Sequence, residues 1–293
     1  MSDLNSLSLY KKESLWIKAW KRMKKNKPAI VGLVIILIFV FFALFANVIA
    51  DYNEVALKQD YTQKLLPPNS NNILGTDALG RDIFARIIHG ARLSLTLGFV
   101  IVGIALFFGV SLGGISAFYG GMIDLVIMRL LDVFMAIPPM LLMLSLVAAL
   151  GPGLDKLMIA LIVVIVPGYT RISRASMLAV SGNEYIEAAK ACGCSNLKII
   201  FKHLFPNALG PILVVATLSL ASTIVMISGF SFLGIGISAP TPEWGAMLSE
   251  ARANMRYNPY LMIIPGTALL LVSVSFNLIG DGIRDALDPR VKG

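Results

Sequence analysis

At 293 residues the chain has the length of one large soluble domain or two smaller ones, yet 57% of it is hydrophobic, 14% is charged and its mean hydropathy is +0.78. So few charges cannot cover a soluble surface; they suit one that faces lipid. The net charge of +8 is weighted to the first 28 residues (Lys11, Lys12, Lys18, Lys21, Arg22, Lys24, Lys25, Lys27), as the flank of a membrane span and a contact for anionic lipid. No basic stretch interleaved with aromatics follows, so nucleic acid is excluded as a partner.

The first apolar run, 28–50, is long enough to cross a bilayer as a helix. Val48-Ile49-Ala50 faintly resembles a signal-peptide cleavage site, but a signal peptide has an apolar core of about 7–15 residues and this run is longer. It is read as a retained span. Next comes Gly75-Thr76-Asp77-Ala78-Leu79-Gly80-Arg81-Asp82, read as a structural turn in which Thr76 or Asp77 is available to cap a helix and Arg81 to pair with an acid; a contact with a partner protein is its rival reading. Further spans are expected at 93–118, 125–150, 157–178, 208–236 and 260–280, giving an all-α membrane protein of six transmembrane helices. Pro138-Pro139 and Pro167-Gly168 fall inside two of them, where neighbouring helices must satisfy the freed carbonyls. Gly109-x-x-x-Gly113 and the Gly234/Gly236 pair are read as packing glycines. Pro240-Thr241-Pro242-Glu243-Trp244-Gly245 reads as extended chain with its tryptophan in the interfacial belt.

Charges in the spans are few: Asp124, Arg129 and Asp132 near the start of the third, and Asp281 at the end of the sixth. A charge at bilayer centre costs on the order of 2.5–3.5 kcal/mol, so pairing at one membrane end is the expected arrangement. No chain of buried acids suggests a proton-coupled carrier. Cys192 and Cys194, two apart and without a second pair, suit a reducing cytosol rather than a metal or redox site, and His89 and His203 have no ligand partners nearby in sequence. There is no G-x-x-x-x-G-K-[ST] loop to hold ATP, and no arrangement of nucleophile, base and acid, so neither an enzyme nor a bound cofactor is expected.

With the N-terminus inside, 17 of the 25 Lys and Arg fall on the inner side; Lys58, Lys64, Arg81, Arg86, Arg92, Lys156, Arg252 and Arg256 fall outside. That bias places both termini, and residues 181–207, in the cytoplasm. In this segment Ser181 and Glu184 have the spacing of a capping box, with Tyr185, Ala188/Ala189 and Cys192 as a small-residue stripe. Gly193 is a helix stop, and Ser195 is placed to cap a second helix with Leu197, Ile200/Phe201 and Leu204 on one face and Lys198 and Lys202 on the other. Pro206 begins the next span. On these residues alone the pair also fits an amphipathic hairpin resting on lipid.

Glu187-Ala188-Ala189-x3-Gly193, followed by His203-Leu204-Phe205-Pro206, resembles the E-A-A-x3-G-x9-I-x-L-P loop of bacterial ABC importer permeases, with His203 and Phe205 as departures. Residues 74–95, 231–248 and 280–290 are similar to the dipeptide/oligopeptide/nickel branch, specifically its C-type permease subunit. Ile227 stands where that pattern places an acid. The resemblance implies a type I permease core and a bacterial inner-membrane location. Its division is a cytoplasmic tail 1–28, a first span 29–50, an extracytoplasmic segment 51–91, a permease domain 92–281 and a cytoplasmic tail 282–293. It also implies a homologous permease partner, two ATP-binding subunits that use ATP and Mg, and an extracytoplasmic solute-binding protein. Glu187, Ala188, Ala189 and Gly193 would shape the coupling turn, and Ser195, Leu197, Ile200, Phe201, Leu204 and Pro206 the face offered to the ATPase. An ATP-independent carrier or channel, with the hairpin as a brace, is the rival reading.

Overall fold

The computed structural model describes residues 15–151 and 153–287, so Lys11, Lys12, Arg290 and Lys292, and the end of the 280–290 motif, lie outside the described residues. Among those described there are helices and no strand, apart from one isolated bridge between Thr76 and Asp82. A short helix α1 (Leu15–Met23) leads into α2 (Lys27–Leu44). The start of α2 is set by Asn26, whose side chain accepts from the Ala29 N–H at 3.2 Å, with Pro28 in the first turn where its missing N–H is not needed. A single turn, α3 (Ala46–Ile49), ends the first crossing.

Helix α4 (Ile83–Tyr119) has 37 residues, about 55 Å at 1.5 Å per residue, well beyond a hydrocarbon core of about 30 Å. It starts ten residues before the expected span because Asp82, rather than Thr76 or Asp77, caps it, accepting from the Ala85 N–H at 2.8 Å. Thr76 instead accepts from the Leu66 N–H at 2.9 Å and donates to the Gln63 carbonyl at 2.5 Å, closing the turn.

The third expected span is not one helix. α5 (Gly121–Met135) and α6 (Pro139–Leu150) meet at an 87° bend. Pro138 and Pro139 supply no N–H, so the carbonyls of the last turn of α5 lose their donors and the helix cannot continue. The architecture is therefore five continuous apolar helices plus this bent pair. By contrast α7 (Leu154–Ser181) passes through Pro167 as one helix. Beyond it lie α8 (Glu184–Ala191), α9 (Asn196–Ile199) and a π-helical turn over 200–204. α10 (Phe205–Phe232), α11 (Trp244–Ala251) and α12 (Tyr260–Leu287) complete the chain. Gly234 and Gly236 fall in the turn after α10, outside any span.

The most extensive helix pair is α4 against α7. A Cβ on Gly109 would sit 2.3 Å from Tyr169 Cβ, and one on Gly113 2.6 Å from the Thr170 carbonyl, so these glycines let the two backbones touch. Trp244 is fully buried rather than interfacial: its ring meets Phe39 edge-on at 5.7 Å and its Nε1–H donates to the Ile87 carbonyl at 3.2 Å. Glu243, also fully buried, caps α11 through the Ala246 N–H at 2.8 Å and accepts from Ser228 Oγ at 2.7 Å. Ile227 packs into the cluster of Leu97, Ile101 and Phe230, with no free surface for cavity chemistry.

Alternation of the helices puts 51–82 and 233–259 at one end of the bundle. The hairpin and both ends of the described chain lie at the other, where Asn26 donates to Asp285 at 3.2 Å.

Candidate functional site

The hairpin begins differently from its sequence reading. Ser181 is the last residue of α7 and donates to the Leu178 carbonyl at 2.9 Å, so it cannot cap α8. The expected box fails because α7 runs past residue 178, and Asn183 leads into α8, taking the Ile186 N–H on its carbonyl at 2.9 Å. The stop at Gly193 is as expected: φ is +74°, and the Cys194 N–H reaches the Ala189 carbonyl at 3.1 Å. That bond from the second residue past the cap back to the third-last turn position is a Schellman closure, which needs a residue in the left-handed region.

The second arm is also continuous with the membrane. Ser195 caps through its carbonyl, which accepts from Ile199 at 3.0 Å. Pro206 does not break the chain, because the turn before it widens: the Phe205 N–H bonds to the Ile200 carbonyl, five residues back. A π-turn at this point makes room for a proline ring that would clash in a regular helix. Force applied to the hairpin therefore reaches α10 through an unbroken helical path.

Packing redistributes the expected faces. Ile186, Ile199 and Leu204 are buried together against Phe118 and Val180, so Leu204 holds the hairpin rather than lying on its open face. Tyr185, Ala188 and Cys192 of the small-residue stripe point outward together with Glu187 and Ser195; Ala189 is half-buried. Ile200 and Phe201 line an apolar groove of about 490 Å³ with Leu106, Val110 and Ile115 of α4, away from the turn. Pro206 is exposed at the root of α10, and the Leu197 side chain lies outside the described residues.

The stem is clamped by charge. Arg174 of α7 holds Asp124 of α5 through Nε and Nη2, both at 2.5 Å, and Ser116 of α4 also donates to Asp124. Three residues earlier Arg171 pairs with Asp132, which also lies 3.8 Å from Arg129. Asp124 and Asp132 are paired as expected, with α7 supplying arginines that the sequence did not link to α5. A bidentate Arg–carboxylate contact fixes direction as well as distance.

A second charged cluster, at the opposite end, had little signal beyond Arg81. Arg81 and Arg86 are almost wholly buried. Arg81 Nε donates to Asp77 at 2.6 Å and its Nη2 to Glu250 at 2.9 Å; Arg86 Nη2 donates to Glu250 at 2.7 Å. The cluster is neutral in sum and ties the 75–82 turn and the start of α4 to α11, so the structural reading of that turn holds. Among the described residues no group of histidines, cysteines or acids could hold a metal.

Comparison with known proteins is consistent across the chain. Residues 82–293 match the family model described as binding-protein-dependent transport system inner membrane component, and 14–68 match the N-terminal transmembrane domain of oligopeptide transport permease C. Over 283 residues the chain is 44% identical to the dipeptide transport system permease protein of Alkalihalophilus pseudofirmus, covering 97% of this chain and 92% of that protein. It is 37% identical over 293 residues to the glutathione transport system permease protein of Escherichia coli, covering 99% and 96%. In fold it is similar to a chain of the inward-facing MetNI methionine ABC transporter, with a TM-score of 0.57 at 21% identity, covering 70% of this chain and 98% of that one. The chain thus belongs to the family of binding-protein-dependent transport system inner membrane components, and is a multi-pass protein of the bacterial inner membrane.

Proposed function

We propose that the chain is the permease subunit of an ATP-driven importer of dipeptides or related short peptides. It forms the path with a homologous permease, two ATP-binding subunits attach on the cytoplasmic side, and a solute-binding protein delivers from outside. Both termini and the hairpin are cytoplasmic in this reading, in keeping with the bias of basic residues. ATP and Mg belong to the partner subunits. The peptide class follows the relatives, whose names specify dipeptide and glutathione transport.

The observation that carries the reading is the hairpin. It presents Glu187, Ala188, Gly193 and Ser195 outward at a rigid turn, while its stem is joined to the membrane helices by Arg174–Asp124, by Arg171–Asp132 and by continuous helix into α10. In the mechanism, closure of the ATP-binding subunits moves this turn, and the clamps pass the displacement to α5, α7 and α10. Those helices then exchange an outward-open for an inward-open arrangement, a two-state element biased by ligand bound elsewhere.

The test is reconstitution of the whole transporter in proteoliposomes with ATP inside. Import of alanyl-alanine or glutathione that needs both internal ATP and the solute-binding protein is the expected result. Import that persists without ATP would establish the rival carrier reading.

A further inference from the structure

The bend between α5 and α6 lies at the middle of the bundle. The cavity beside it, about 310 Å³, is lined by Phe134, Ile137 and Pro139 from the bend, by Pro167 and Tyr169 from the centre of α7, and by Ser219 from the centre of α10. At that level a broken backbone is an anomaly. Among the described residues the carbonyls of Met135, Ala136 and Ile137 accept no backbone hydrogen bond: Pro138 and Pro139 cannot donate, and the Leu141 and Leu142 N–H groups turn to the Pro138 carbonyl. Residues 136–139 are exposed on this chain.

Unsatisfied backbone at membrane depth costs several kcal/mol against lipid, and is tolerated only where it is covered by protein or lines a wet cavity. A second, independent group points the same way. Tyr169 is 2% exposed, and its hydroxyl has Ser219 beside it but no partner in full hydrogen-bonding geometry. A buried phenol beside a cavity, with its hydrogen bonding this incomplete, is a place for a further polar group.

We propose that the 136–139 break, with Tyr169 and Ser219, is a solute contact site at mid-membrane. Its free carbonyls take N–H or ammonium donors and its hydroxyls take carbonyl or carboxylate oxygens, which is the donor and acceptor pattern of a short peptide backbone. A volume of about 310 Å³ is at the small end of ligand sites, and matches a small solute in transit. The Asp132–Arg171 clamp lies one turn before the break, so movement of the hairpin stem reshapes the site directly. This inference rests on the permease reading above.

The test uses the full transporter with its solute-binding protein and alanyl-alanine as probe. Ile137→Cys is expected to react with a charged, water-soluble thiol reagent beyond the level of the parent chain, whose Cys192 and Cys194 lie in the hairpin turn. Turnover with alanyl-alanine should slow that reaction at least threefold. Reaction with lipid-soluble reagents alone, no reaction, or no protection by solute would overturn the site, the second of these meaning that partner protein covers the break. Tyr169→Phe should lower maximal uptake roughly 2- to 10-fold, with inserted protein and thermal stability at parent values. Unchanged uptake, or loss of uptake and stability together, would reduce the phenol to a packing group. If the parent complex imports neither alanyl-alanine nor glutathione, the permease reading itself fails; if it imports normally while Ile137→Cys is unprotected, only this site does.

Discussion

Replacing Gly193 separates conformation from sterics in the hairpin. Its φ of +74° lies in the left-handed region, and the Cys194–Ala189 bond at 3.1 Å closes only there. A Cβ at this position would meet nothing within 4 Å, so any penalty comes from the backbone alone. That penalty is about 1–2 kcal/mol for an ordinary side chain, which shifts a local equilibrium about 5- to 30-fold; it is smallest for asparagine and largest for a β-branched residue. Uptake and solute-stimulated ATP hydrolysis should therefore fall in the order Gly, Asn, Ala, Val, with membrane insertion and yield unchanged throughout. Purified complexes in proteoliposomes, normalised to inserted protein, give both rates. If Gly193→Val transports as well as the parent, or Gly193→Asn is as damaged as Gly193→Val, the turn does not transmit work through its geometry.

Other predictions address the packing and charge that hold the machine. Glu187→Arg, at an exposed position of the hairpin, should leave the protein inserted but abolish uptake and coupled hydrolysis; normal uptake removes Glu187 from the contact. Gly109→Ala would place a methyl 2.3 Å from Tyr169 Cβ, an overpacking of about 1–3 kcal/mol, and should lower the thermal inactivation temperature in detergent. Gly103→Ala, with nothing within 4 Å, should not, and equal effects would mean the α4–α7 contact is loose. Glu250→Gln leaves Arg86, 1% exposed, with Asp77 as its remaining acid; loss of a buried partner costs about 3 kcal/mol. A loss below about 1 kcal/mol would show a cluster behaving as a surface pair.

Much of this was legible in the chain because lipid imposes strict rules. Apolar length marked five continuous spans, and Gly193 announced a left-handed stop that only local geometry decides. What was hidden depended on contacts distant in sequence. Arg81 could be seen to need an acid, but Glu250, 169 positions away, is known as its partner only from the fold. The double proline at 138–139 was visible, yet whether it kinks a span or breaks it depends on neighbours: Pro167, inside α7, leaves that helix whole. The faces of the hairpin were misassigned for a similar reason. Short helices of four to eight residues show too few turns for periodicity to choose a side, and Ile186 and Ile199, absent from the expected stripes, form its core.

In the proposed mechanism the work of ATP enters through the outward face of the hairpin, and proximity tests it most directly. In the assembled transporter, Ala188→Cys should form a cross-link, through a short bifunctional thiol reagent, to a cysteine placed on the ATP-binding subunit, with a yield that changes between the nucleotide-free and ATP-bound states. Absence of that cross-link, together with labelling of Ala188→Cys by lipid-soluble reagents alone, would make the hairpin a brace on the membrane surface and contradict the account.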